Sequence, residues 1–163
     1  MHPHIINIEK LEYAPFPGPM PENIKPKYEG TTLGWIGRII GAQKLGYNIT
    51  KVPAGKRAFP LHNHRVNEEM FFILEGEGEI RIGAETFPVR QGDFIACPPG
   101  GADTAHQIVN TSQKELRYLA VSTHEGPEIA EYPDSKKFGV MSADQSFRFL
   151  GRTEQSLGYW DGE

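Results

Sequence analysis

Residues 55–76, GKRAFPLHNHRVNEEMFFILEG, decide how this chain is read. Alternate residues of a strand share a face, so His62 and His64 aim their imidazoles at one point. On the stretch that follows, Glu69, Phe71 and Ile73 share one face and Glu68 and Met70 the other; alternation alone does not choose between the two glutamates. A third histidine, His106, heads His-Gln-Ile-Val-Asn, with Ile108 on its own face. Three imidazoles and a carboxylate form a nitrogen-and-oxygen set suited to a divalent first-row ion. One histidine on an apolar face reads as a satisfied core residue. Three on compatible strand faces, beside an acid, read as a metal site, with Phe71, Ile73 and Ile108 as its pocket walls.

Working outward, short segments rich in β-branched or aromatic residues recur: 35–40, 44–52, 70–74, 79–82, 87–89, 94–97, 105–109 and 116–122. Gly41, Gly55, Gly76 to Gly78, Gly92 and Pro98 to Gly101 break them apart. Short strands at a spacing of roughly 8–12 residues predict an all-β sandwich or barrel. After Gly126 the pattern weakens. Strands are expected around Val140 and at 148–150, and Tyr159-Trp160 is expected to pack back onto the barrel. Before Thr31, the residues Pro3, Pro15, Pro17, Pro19, Pro21 and Pro26 predict an extended arm without helix. His2 and His4 in that arm read as an exposed terminus.

At 163 residues, one domain is expected. A domain near that size buries about 70% of its unfolded surface, so it needs no disulfide or metal merely to fold. The net charge of −4, without a dense run of Lys or Arg, argues against nucleic acid as a partner. The single cysteine, Cys97, forbids an internal disulfide and sits in an apolar run, where a buried structural thiol is expected. No leader pattern and no apolar stretch of membrane-spanning length is present, so the expected compartment is the cytoplasm, with no membrane partner.

The quoted stretch resembles the first cupin motif, G-x5-H-x-H-x3,4-E-x6-G. Gly55, His62, His64, Glu69 and Gly76 take its places, with six residues rather than five before His62. The six-residue gap to Gly76 selects Glu69 over Glu68. Residues 92–110 resemble the second motif, G-x5-P-x-G-x2-H-x3-N, at Gly92, Pro98, Gly100, His106 and Asn110, with five residues rather than two before the histidine. The resemblance, to small single-domain metal-binding members of the cupin superfamily, covers about residues 31–125. It implies a double-stranded β-helix, or jelly-roll barrel, flanked by the Pro-rich arm at 1–30 and by an extension at 126–163 that packs on the barrel. It also implies His62, His64, Glu69 and His106 as ligands of one divalent transition metal: Zn, Ni, Fe, Mn or Co.

Open positions on such a metal suit a chelating, oxygen-rich small molecule. Metal-assisted isomerisation of a sugar phosphate, or of a similar hydroxy-carbonyl compound, is the leading expectation. The alternatives are an Fe-dependent dioxygenase and a non-catalytic metal-dependent binding or sensor barrel. No catalytic acid or base is assigned. Tyr118, Gln107 and Arg38 are considered for proton transfer, and Lys56 and Arg57 for a substrate phosphate. Exposed sheet edges and the arm lead to the expectation of a homodimer.

Overall fold

Burial alternates strictly along residues 116–120: Leu116, Tyr118 and Ala120 are buried, while Arg117 and Leu119 are only partly so. A period of two is the mark of a strand with one face on a core. The computed structural model describes residues 2–16 and 18–163; Met1 and Pro17, the latter one of the arm prolines, lie outside the described residues. Its strands are β1 (Ala14–Pro15), β2 (Thr32–Gly34), β3 (Leu45–Val52), β4 (Asn63–His64), β5 (Glu69–Glu75), β6 (Glu77–Ile82) and β7 (Glu85–Arg90). They continue with β8 (Phe94–Cys97), β9 (His106–Val109), β10 (Leu116–Thr123), β11 (Glu128–Tyr132), β12 (Lys137–Met141) and β13 (Arg148–Gly151).

One sheet runs β1-β2-β3-β10-β5-β8. Facing it are the sheets β7-β6-β9 and β4-β11-β12-β13, joined where His62 and His106 exchange both backbone hydrogen bonds (3.2 and 2.8 Å). All these pairings are antiparallel, and the result is a jelly-roll barrel. Val52, Phe71, Ile73, Ile80, Ile95, Ile108, Leu116 and Tyr118 fill it. Gly76 makes the β5–β6 turn at φ +86°, where a Cβ would lie 2.6 Å from the Glu115 carbonyl oxygen. That close approach is why the motif has glycine there.

Three expectations are corrected. Residues 35–40 are not a strand: Ile36–Ile40 form a short helix, α2. Gly37 lets that helix sit on β3, since a Cβ there would come 3.2 Å from the Tyr47 nitrogen, and Gly41 ends it in the left-handed region at φ +78°. Packing of Ile36 and Ile40 against Ile49 thus overrides the β propensity of the segment. Second, the N-terminal stretch is not free of helix. Ile8–Lys10 form a 3-10 turn and Lys25–Tyr28 one α-helical turn, α1, with Pro26 in its first turn, where no N–H is needed. Third, Tyr159 and Trp160 do not pack back: they are 87% and 78% exposed and touch each other edge-on.

Leu11, with Ile6 and Tyr13, joins α2 in covering Ile49, Leu74 and Leu119 on the outer face of the first sheet. No helix among the described residues is long and apolar enough to cross a membrane.

Candidate metal centre

Directly opposed residues of an antiparallel pair point to one face, so the His62–His106 bridge turns both imidazoles into the barrel, with ring centroids 4.8 Å apart. His64, two residues on, follows them. Glu69 heads β5 in the opposite sheet and faces inward with Phe71 and Ile73, as the motif spacing selects. Ligand atoms of His62, His64 and Glu69 all lie within 4.8 Å of one another. The three Nε2 atoms converge on one oxygen, Glu69 Oε2, at 3.7 Å from His62, 3.7 Å from His64 and 2.9 Å from His106. Side-chain exposures of 13%, 20% and 17% for His62, His64 and Glu69, against 3% for His106, place the cluster at a mouth that solvent reaches.

The far ring nitrogens are tethered. His62 Nδ1 lies 2.8 Å from the Pro60 carbonyl and His106 Nδ1 3.2 Å from that of Thr104. As it stands His106 Nε2 hydrogen-bonds Glu69 Oε2 at 2.9 Å. Toward a bound ion, the Nδ1 tethers would keep a proton on the far side and turn the Nε2 lone pair to the centre, which is how imidazole enters a coordination sphere. His64 Nδ1 is buried without a hydrogen bond, with Glu128 Oε2 3.6 Å away. Burial, aided by neighbouring His62, pulls the His64 pKa down against the pull of Glu69, favouring the neutral, ligating form. At Glu69 burial pushes upward, but His106 and His62 outweigh it and hold the carboxyl well below the usual range. A neutral His64 beside an ionised Glu69 fits a divalent transition ion.

Around the cluster, Phe71 meets His106 edge-on (5.5 Å), and Tyr132 of β11 stacks on His62 (6.1 Å, 21°). Phe59 flanks His62 and is itself met by Phe16 from the N-terminal stretch. Ile73 and Ile108 lie deeper, fully inside the core, and back the site rather than face solvent.

The candidates for proton transfer are elsewhere. Tyr118 is buried beneath Phe71, and burial raises its pKa. Gln107 points to the outer face and bonds Phe59 O and Arg81, while Arg38 lies over Trp35. Lys56 donates to the Pro26 carbonyl. Cys97 is a buried thiol, as expected, pushed up to about 12 by burial and by the charge of Glu69. Sequence reasoning missed Tyr132 and Glu128. Their strand carries Glu128 and Ala130 on its inward side, so the apolar alternation that marks a strand is absent there.

Residues 48–122, which contain this cluster, match the family model of the cupin domain. The matched stretch is a cupin domain. The chain is 39% identical over 84 residues to an uncharacterized protein of Methanocaldococcus jannaschii, covering 49% of the chain and 64% of that protein. It is 34% identical over 71 residues to an oxalate-binding protein of Thermotoga maritima, covering 44% and 55%. The chain thus spans less than two thirds of these curated relatives. Among solved structures, a cupin-superfamily sugar phosphate isomerase from Silicibacter pomeroyi superposes with a TM-score of 0.79 at 22% identity, covering 96% of this chain and 98% of that one. At that identity the likeness shows the fold.

Proposed function

We propose that this cupin holds one divalent transition metal on His62, His64, Glu69 and His106 and acts on a small oxygen-rich metabolite. The reaction we propose is isomerisation of a sugar phosphate or similar hydroxy-carbonyl compound. The observation that carries the reading is the convergence of three Nε2 atoms on the Glu69 carboxylate at a solvent-reached mouth. A bound ion would supply Lewis acidity toward a substrate carbonyl. The chain's own residues do the rest. The Nδ1 tethers to Pro60 and Thr104 orient two imidazoles, and Phe71, Phe59 and Tyr132 wall the mouth with apolar surface that limits water. The isomerase likeness over nearly the full chain supports the reaction class. The oxalate-binding relative supports a second reading, a metal-dependent binder of small chelating acids.

The test is elemental analysis of untagged protein purified without added metal or chelator, beside His62→Ala. Near one equivalent of a transition metal, lost in the variant, is expected. No metal in the wild type, and none gained on reconstitution, overturns the metal centre. Loaded protein is then offered aldose and ketose phosphates in deuterated water and followed by proton NMR. Interconversion supports the isomerase; calorimetric binding of oxalate without turnover of any sugar phosphate replaces it with the binder. We further propose a homodimer built on the outer face of the first sheet. There Met70, Phe72, Phe94 and Val121 continue the apolar surface that Leu11 and α2 cover only in part.

A further inference from the structure

Glu128 is the one carboxylate among the buried polar residues described, and the four ligands do not account for it. Its Oε1 accepts from the backbone nitrogens of Arg65 (3.0 Å), Val66 (3.3 Å) and Ile129 (2.8 Å). Its Oε2 accepts from Asn67 N (2.8 Å) and from the Asn67 side-chain amide. Asn67 is fixed in turn: Thr123 Oγ1 and Glu125 N donate to its Oδ1, and its amide also donates to the Glu125 carbonyl. The turn that follows His64 is therefore wrapped around this carboxylate. The remaining direction of Oε2 faces His64 Nδ1 at 3.6 Å, the ring nitrogen that is buried and has no hydrogen bond. His62 and His106 rest their Nδ1 atoms on backbone carbonyls, whereas His64 has a charged acceptor in that place.

We infer that Glu128 is a positioning residue for His64: it holds the proton on Nδ1 and aims Nε2, made more basic, at the metal centre. A buried polar nitrogen needs a partner, and Glu128 is the acceptor the fold brings to it. A carboxylate behind a ligating imidazole fixes its tautomer and strengthens it as a donor, and losing such a partner typically weakens metal binding roughly 10- to 100-fold. Glu128 touches neither substrate nor metal in this role. The inference rests on the metal-centre reading for its consequence, but not for the tautomer.

The experiment compares the full chain with Glu128→Gln, using cobalt(II) as the probe. Its visible absorption reports stoichiometry and affinity, and circular dichroism melting reports the fold. The variant is expected to stay folded and take one equivalent of cobalt with affinity reduced roughly 10- to 100-fold. A folded variant that binds cobalt as tightly as wild type overturns the inference. Nitrogen-15 NMR of the metal-free wild type provides a second measurement that needs no variant and no metal. Neutral His64 is expected as the Nδ1–H tautomer, and Nε2–H overturns the inference even if Glu128→Gln fails to fold. A wild type that takes up no cobalt sinks the metal reading instead, and the tautomer still decides the role of Glu128.

Discussion

Glu68 and Glu69 are neighbours of one chemistry, and the register of β5 separates them. Glu68 is exposed, while Glu69 pairs with Cys97 and Ser122 on the inward face. A one-residue slip would exchange them and turn Phe71 and Ile73 to solvent, so core burial enforces the choice. Asn110, the last residue of the second motif, shows the same dependence on surroundings. Fully buried, its amide donates to the Val52 (2.8 Å) and Lys114 (2.6 Å) carbonyls, and its oxygen accepts from Ser112 N and Oγ. Asn110→Ala strands two buried carbonyls and should cost about 1–3 kcal/mol in urea unfolding with an unchanged slope. A variant as stable as wild type would show that water takes over those bonds.

Elements from outside the two motifs are tied to the barrel by polar clasps as well as by burial. Arg81 of β6 donates to both oxygens of Asp134 (2.8 and 3.2 Å) and to Gln107 Oε1 (3.0 Å), while Gln107 reaches the Tyr28 hydroxyl of α1 at 3.4 Å. One arginine thus joins the segment after β11 and the N-terminal helical turn to the sheet that carries His106. Arg81 holds the Asp134 carboxyl below its usual range. A carboxyl whose pKa is depressed by folding adds stability above its unfolded pKa, and this is lost as pH falls through the folded value. Asp134 is half-exposed, so the contribution is screened to below about 1 kcal/mol. Asp134→Asn should therefore lower the melting temperature slightly at neutral pH, and the gap should shrink at acid pH as the pH falls through the depressed folded value and the carboxyl becomes as uncharged as the amide. An equal gap at both pH values would assign the loss to packing.

Across the whole molecule, the first sheet has two differently treated outer halves. Leu11 and α2 cover Ile49, Leu74 and Leu119, while Phe94 on the edge strand β8 is 72% exposed and rests against Phe72, the rings tilted at 31° and 4.3 Å apart. Exposed aromatics on an open sheet edge invite pairing, and a symmetric dimer closes that surface on itself. Light scattering on a sizing column should give twice the chain mass at micromolar concentration, and Phe94→Glu should halve it with the fold intact. A clean wild-type monomer would end the dimer proposal.

An all-β sandwich or barrel, and a histidine-rich cluster with an acid on compatible strand faces, were legible in the residues. The jelly roll and the choice of Glu69 over Glu68 came through the resemblance of two motifs to those of cupins. Period-two alternation and motif spacing are local properties, and facing is a local consequence of them. What the sequence could not settle was decided by surfaces far apart in the chain. Ile36–Ile40 became helix through packing of Ile36 and Ile40 on Ile49, with Gly37 against the Tyr47 backbone, and Tyr159 and Trp160 stayed exposed, edge-on to each other. Glu128 reached His64 because Ala130 of β11 pairs with His64 of β4, a pairing across 66 residues that no local pattern announces. Only tertiary structure makes such contacts, since their energy comes from burial between segments that no periodicity connects.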